Sequence, residues 1–250
     1  MLVSKKADFV VVGAESRSVD LNLHFVSDSS CKILSLGGNT LFYESGASKG
    51  GKSWSSTGTA RNVYKSSLNR DAFSLSAEWG KRALRWFNSL PEEELRALTQ
   101  RSHGILVSTG FINFDPSGNL SVYSTEIVYN ALHHRLDVQS ASQVAGETAE
   151  FGVATDLVDE FFRGKTDRAI KALGPDGKLL FLAGVDQKTA VRVIQKAIKF
   201  AMDNATGDDK SALGGDIDIA VIHKDHTIEW PSRKDSCSKE DLIATPPPKH

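Results

Sequence analysis

Asp8-Phe9-Val10-Val11-Val12-Gly13-Ala14, near the start of this 250-residue chain, is the stretch that decides the fold. Its apolar residues, most of them β-branched, follow one another instead of alternating with polar residues. A run of this kind is typical of a β-strand that is covered on both faces. The sequence therefore predicts a strand with a layer of structure on each side.

Other short apolar runs bounded by turn residues predict further strands. Gly37-Gly38 and Asp115-Pro116-Ser117-Gly118 supply two of the turns, since glycine adopts the positive φ of a tight hairpin and Asp-Pro is a strong turn signal. The predicted strands cover residues 33–36, 40–43, 104–112, 120–124, 216–222 and 227–230.

Helices are predicted where apolar residues recur at helical spacing. Four such helices begin near residues 71, 91, 146 and 187, and the last ends near residue 203. Residues 47–69 give no clear pattern apart from helical character after Thr59. The order of strands and helices predicts an α+β protein, a four-layer αββα sandwich of two antiparallel sheets flanked by helices. We expect one domain over residues 1–231 and a flexible, proline-rich tail over residues 232–250.

The composition is that of an ordinary globular protein, with 40% hydrophobic residues, 24% charged residues and a formal net charge of −1. It gives no reason to expect a nucleic-acid or membrane partner, and no secretion signal is visible at the N-terminus. Two cysteines, Cys31 and Cys237, are too few for a disulfide framework and suit a reducing compartment. These features predict a cytoplasmic protein, with a nuclear location also open.

Several ordered patterns carry a resemblance to a known family: KADFVVVGAESR (Lys6–Arg17), CKILSL (Cys31–Leu36), YESGA (Tyr43–Ala47), AGETAEFGV (Ala145–Val153) and GGDIDIAVIHKD (Gly214–Asp225). The first resembles KDGVVLAADSR, the strand that opens proteasome α and β subunits. The next two resemble the KIHKL strand and AGLA turn of that family. The last two resemble its GSGSxxxxGxLE helix start and its GGxIDVAVITKDG hairpin.

The resemblance extends from about Val3 to Trp230 and is closer to β-type subunits, because the N-terminal helix of α-type subunits has no counterpart. It implies the fold of N-terminal-nucleophile (Ntn) hydrolases. It also implies a ring assembly in which the partners are other proteasome-type subunits or copies of this chain. Neither a cofactor nor a metal ion is implied.

The resemblance also assigns candidate catalytic residues. In active family members an N-terminal threonine is the nucleophile, its own amine is the base, and a lysine, an acidic residue and a glycine amide assist. Lys32 matches the lysine, Gly46 matches the oxyanion-hole glycine, and Glu15 stands where the family has aspartate. Glu15 has a second interpretation, an ion pair that closes a strand end, with Arg17 as another possible partner.

The nucleophile itself has no match. The family places it about 16 residues before the acidic residue, and counting back from Glu15 passes Met1. Ala145 takes the place of the serine before the third helix, and Lys210 and Leu213 take the places of an Asp-x-x-Ser. These differences predict a protein that has lost hydrolysis.

Three functions remain open from the sequence. The first is a non-catalytic subunit or pseudoenzyme with the proteasome-type fold. The second is a threonine peptidase whose propeptide and first strand are absent from the present sequence. The third is a different reaction or ligand in the cleft bounded by Glu15, Lys32 and Gly46. His133-His134-Arg135 could touch an anion or a metal, but we expect a solvated helix end there.

Overall fold

A computed structural model describes residues 1–19, 25–37, 39–47, 49–50, 54–101, 104–114, 117–152, 154–174 and 184–239. Its strands are β1 (Leu2–Lys5), β2 (Phe9–Glu15), β3 (Ser18–Val19), β4 (Phe25–Ser27), β5 (Ile33–Gly37), β6 (Thr40–Gly46), β7 (Lys49–Gly50), β8 (Trp54–Ser55), β9 (Ile105–Phe114), β10 (Leu120–Asn130), β11 (Arg135–Ser142), β12 (Thr148–Glu150), β13 (Ile217–His223) and β14 (Ile228–Ser232). Its helices are α1 (Ser56–Ser66), α2 (Ala72–Phe87), α3 (Glu92–Arg101), α4 (Thr155–Arg163), α5 (Asp167–Leu173), α6 (Gln187–Asn204), α7 (Gly207–Ala212) and α8 (Asp235–Ser238).

Two five-stranded sheets form the centre of the molecule. The first has the order β12-β1-β2-β13-β14 and the second the order β11-β10-β9-β6-β5. Every pair of neighbouring strands in both sheets is antiparallel. The predicted α+β class with two antiparallel sheets is therefore confirmed.

The side chains of β2 explain its continuous apolar run. Phe9 and Val11 belong to a buried cluster with helices α4, α5 and α6. Val10 and Val12 belong to a second cluster, which includes buried residues of both sheets. A third cluster joins the far face of the second sheet to α1, α2 and α3. The three clusters give the layer order helices, sheet, sheet, helices.

Local signals set the starts of the long helices. Asp71 accepts a hydrogen bond from the N–H of Ser74 at 2.8 Å and caps α2. Asp186 accepts one from the N–H of Thr189 at 2.9 Å and caps α6. Such caps satisfy N–H groups that have no partner within the helix. Both helices were predicted at these places, and both predictions are confirmed.

The prediction of a helix from Gly146 is wrong in its start. Thr148–Glu150 form the edge strand β12, which pairs with Leu2, Val3 and Ser4 of β1, and α4 begins only at Thr155. Pairing with a segment almost 150 positions away in the sequence decides the local structure here. A helical stripe read from neighbouring residues cannot contain that information.

The predicted strand at residues 120–124 is too short. β10 continues to Asn130 and forms a hairpin with β11. His133 and His134 lie in the hairpin turn, where His134 has a φ of 48°, so the expected helix end is wrong. The side chains of β11 are mostly exposed because this strand is at the edge of its sheet. Little hydrophobic signal is therefore present in its sequence.

The expected boundary at Pro231 is also wrong. β14 runs through Pro231 to Ser232, and the chain then reaches α8, in which Cys237 is buried. Pro231 is tolerated because β14 is an edge strand, where a missing N–H need not break a ladder. The remainder of the predicted tail, residues 240–250, lies outside the described residues, as do the predicted turn residues Gly38, Asp115 and Pro116.

Among the helices in the described ranges, none has both the length and the apolar character needed to cross a membrane.

Gly110 offers a test of the packing between β6, β9 and β10. A Cβ atom at this position would overlap Cζ and the hydroxyl oxygen of Tyr43 and would lie 2.8 Å from the carbonyl oxygen of Tyr123. The Tyr43 hydroxyl is buried and shares a 2.7 Å hydrogen bond with Ser124, so the ring has little freedom to move. We expect Gly110→Ala to lower the free energy of unfolding by about 2–3 kcal/mol in urea titrations.

Gly184→Ala is the matched control, since no heavy atom of the described residues lies within 4 Å of the Cβ added there. We expect it to change stability by less than about 0.5 kcal/mol. Equal stability of the two variants would contradict the described position of Tyr43.

Candidate functional site

Glu15 and Lys32 form an ion pair between the two sheets. Glu15 is the last residue of β2, and Lys32 directly precedes β5. The Lys32 ammonium group donates to Glu15 Oε1, and the side chains are only 17% and 6% exposed, respectively. The structure thus brings together two of the three candidates from the sequence. Both interpretations of Glu15, as an active-site relic and as a structural ion pair, require this contact.

Backbone contacts hold both members of the pair. The second carboxylate oxygen of Glu15 accepts the N–H of Arg17 at 2.8 Å. The carbonyl oxygen of Lys32 accepts the N–H of Glu44 at 3.0 Å, which ties the lysine to β6. The guanidinium of Arg17 makes a separate, two-pronged contact with Asp28 at 2.7 and 3.0 Å. Arg17 is therefore a backbone partner of Glu15, and its charge is matched by Asp28.

Gly46, the third candidate, ends β6 two residues after Glu44. Its φ is +92°, and a Cβ atom there would lie 2.7 Å from the carbonyl oxygen of Leu106. Positive φ and the close backbone both require glycine at this position. Backbone geometry alone therefore explains why glycine stands at position 46, and no catalytic role is needed to explain it.

The amino group of Met1 lies close enough to the pair to sense both of its charges. It donates to the carbonyl oxygen of Phe151 at 2.9 Å. Burial lowers its pKa from 8.0 to about 6, while the charge of Glu15 raises it and the charge of Lys32 lowers it. An amine with such a pKa is mostly neutral at pH 7.

Glu150, on the edge strand β12, adds a further titratable group. Burial first, and then the negative charge of Asp159, raise its pKa from 4.5 to about 7. The amino group of Met1 and the side chain of Arg163 act in the opposite direction. No local pattern in the sequence points to Glu150, because its neighbours are brought to it by the pairing of β12 with β1.

The hydroxyl of Ser16, next to Glu15, and the sulfur of Cys31, next to Lys32, both have bonding partners. Ser16 Oγ donates to the carbonyl oxygen of Asp28 at 2.5 Å and accepts the N–H of Asp216 at 2.9 Å. Cys31 forms a disulfide bond with Cys237 across 206 positions of sequence. This bond corrects the expectation of two reduced cysteines, and no local pattern in the sequence could have indicated it.

The substituted positions that opposed activity are structural in this fold. Leu213 is 6% exposed and belongs to the cluster beneath α6. Lys210 donates from its ammonium group to the carbonyl oxygen of Met202 at 2.8 Å. Ala145 lies between β11 and β12, ten residues before α4, so it does not precede a helix directly.

Two other places could have offered a ligand site. A shallow, open groove of about 680 Å³ lies between α6 and β14, and its lining includes none of Glu15, Lys32 and Gly46. Within the described ranges, no group of three or more His, Cys, Asp and Glu side chains could hold a metal ion. The Glu15–Lys32 pair is thus the centre of the candidate site.

Comparison with models of known protein families gives no match for this chain, and comparison with curated proteins gives none either. The resemblance to proteasome subunits therefore rests on the residues and motifs quoted above.

Removing Lys32 should cost more than removing an exposed lysine. Lys32→Met leaves the Glu15 carboxylate buried without its cation, and we expect a loss of about 2–3 kcal/mol in the free energy of unfolding. Lys199→Met is the control, because Lys199 and its partner Asp203 are 68% and 57% exposed. An exposed pair contributes less than about 0.5 kcal/mol.

The double variant Glu15→Gln/Lys32→Met removes both charges and should recover part of that loss, since no buried charge remains. Urea unfolding of the four proteins at pH 7 provides the measurement. A double variant no more stable than Lys32→Met would show that the loss does not come from an unpaired carboxylate.

Glu150 predicts a specific dependence of stability on pH. Its raised pKa means that the unfolded chain ionises first, so its contribution to stability is present below pH 4.5 and is lost as the pH rises through about 7. Glu150→Gln cannot ionise, and its stability relative to wild type should rise across this window. After allowance for partial exposure we expect a gain of about 1–2 kcal/mol at pH 8.

Glu92→Gln is the matched control, since the Glu92 side chain is 85% exposed on α3. Thermal and urea unfolding between pH 4.5 and 8 measure the difference. If the difference between Glu150→Gln and wild type stays constant over this range, the assigned burial of Glu150 is incorrect.

Proposed function

We propose that this chain is a non-catalytic protein of the proteasome-subunit kind, in which an Ntn-type fold serves assembly and not peptide hydrolysis. The observation that carries the proposal is that the groups beside the Glu15–Lys32 pair that could attack a substrate already have partners. The hydroxyl of Ser16 donates to the carbonyl oxygen of Asp28, and the sulfur of Cys31 is bonded to Cys237. A nucleophile must be reachable by a base to act.

The layer order supports the fold part of this proposal. Two antiparallel sheets share a buried apolar cluster, and helices cover their outer faces. Four of the motifs that resemble the family contribute neighbouring strands: β2 and β13 lie side by side in the first sheet, and β6 lies beside the edge strand β5 in the second. The residues that carry the resemblance thus form the frame of the candidate site.

The amino group of Met1 favours a second function, a threonine peptidase. Burial lowers the pKa of this amino group, and the charges of Glu15 and Lys32 act on it, which is the kind of setting that the base of an N-terminal nucleophile requires. Methionine has no hydroxyl to be activated, so this function needs a natural chain in which removal of a propeptide presents a threonine upstream of Met1, where the family places it. The two proposals therefore differ in the residue that begins the mature protein.

The disulfide bears on where the protein works. Such bonds are uncommon in strongly reducing compartments, and their loss there would free both sulfur atoms. A cytoplasmic or nuclear location, which the composition and N-terminus predict, therefore requires that the buried bond be protected from reductants.

The first experiment is intact-mass measurement and N-terminal sequencing of natively purified protein, together with light scattering. The non-catalytic proposal predicts a chain that begins at Met1, free or blocked, in an assembly many times the 27.1 kDa of one chain. A threonine-first species would support the peptidase. A monomer in solution would overturn the assembly proposal.

A fluorogenic peptide assay completes the test. We expect no hydrolysis above background for wild type, and Lys32→Ala should give the same rate. Hydrolysis by wild type that disappears in Lys32→Ala would establish the peptidase in place of the non-catalytic subunit.

A further inference from the structure

The segment that follows β14, residues 233–238, contacts the strand ends that carry the candidate site. We refer to it as the C-terminal clamp. Ser232, which precedes it, donates to the carbonyl oxygen of Ile217 at 2.6 Å and fixes its start against β13. Within it, Arg233 lies over the ring of Trp230 and donates to the carbonyl oxygen of Cys237 at 3.0 Å. The clamp is thus folded and held at both ends.

Its first anchor is covalent. Cys237 is 1% exposed and is joined to Cys31, which is 8% exposed. Cys31 directly precedes Lys32, so the disulfide limits the movement of the backbone from which the lysine side chain extends. The position of a functional side chain depends on how firmly the residues around it are held.

Its second anchor is Lys234. The ammonium group of Lys234 lies 2.6 Å from Asp218 Oδ2 and 3.2 Å from the carbonyl oxygen of Ser30, while its backbone N–H donates to Asp218 Oδ1 at 2.9 Å. The two side chains are only 10% and 4% exposed. Lys234 therefore links the end of the first sheet to the residue two positions before Lys32.

We propose that Cys237 and Lys234 are positioning residues for Lys32, and that the redox state of the Cys31–Cys237 bond controls how firmly the lysine is held beside Glu15. Both anchors reach the three-residue segment Ser30–Lys32 from the clamp. On its other side, this segment is held by backbone hydrogen bonds from Ser30 to Ser16 and from Glu44 to Lys32, and by the ion pair of Lys32 with Glu15. The proposal concerns the regulation of the site assigned above and rests on that assignment.

The redox step needs an external dithiol. A dithiol transfers two electrons and two protons to the disulfide, which becomes two thiols, while the dithiol itself becomes a disulfide. Lys234 and Asp218 then remain as the one described anchor between the clamp and Ser30. Lys32 should leave Glu15 more often in that state.

The test measures how fast Lys32 is acetylated by a small amine-reactive reagent, read by mass spectrometry. Lys6 is the internal control, because it is 1% exposed and lies in the β1–β2 hairpin away from the clamp. In Cys237→Ser, in Lys234→Met and in wild type treated with dithiothreitol, we expect the rate at Lys32 to rise at least about threefold relative to that at Lys6. Lys239→Met, an exposed change in the same region, should leave both rates unchanged.

Global destabilisation would raise the rates at Lys6 and Lys32 together, and an inert clamp would raise neither. Either result would overturn the proposal. If Cys237→Ser fails to fold, dithiothreitol-treated wild type and Lys234→Met give the same readout. The measurement needs neither peptidase activity nor ring assembly, so its failure leaves the proposed function to be judged by its own experiments.

Discussion

Both faces of β2 have to be kept from water, because apolar side chains leave it in both directions. Burying each of the side chains of Phe9, Val10, Val11 and Val12 contributes roughly 1.5–3 kcal/mol to stability. A single covering layer could bury only the side chains on one face of the strand. The helices α4, α5 and α6 cover one face, and the second sheet covers the other. The second sheet then exposes its own far face, which α1, α2 and α3 cover. The four-layer order follows from this single strand.

The candidate site exists because two strands from different sheets end at the same place. β2 ends at Glu15, and Lys32 directly precedes β5. The negative charge of Glu15 from the first sheet therefore pairs with the positive charge of Lys32 from the second, at the edge of the apolar interior. Met1 and Glu150 lie near this place because β1 pairs with both β2 and β12. A hydrolase and a rigid structural subunit could both use such a junction. What distinguishes them is the residue that begins the mature protein.

The parts of the structure that could be predicted are those with a local signal. The strand β2 has its continuous apolar run, and α6 has both an apolar stripe and the cap Asp186, so their bounds were found almost to the residue. The pairing of Glu15 with Lys32 was reached through family resemblance. β11 and β12 are edge strands with little hydrophobic pattern, and the Cys31–Cys237 bond joins positions that share no local context. Pairing between positions so far apart leaves no pattern among residues that are neighbours in the sequence.

The disulfide also restricts the conformations that are open to the unfolded chain. With the bond closed, residues 31–237 form a covalent ring, and residues 1–30 and 238–250 of this sequence lie outside it. In the chain-entropy description, closing a ring of this size lowers the entropy of the unfolded state by the equivalent of roughly 5 kcal/mol. The oxidised chain therefore starts folding from a compact, circular state. A cut anywhere within the ring opens the circle but leaves all the pieces joined as one molecule.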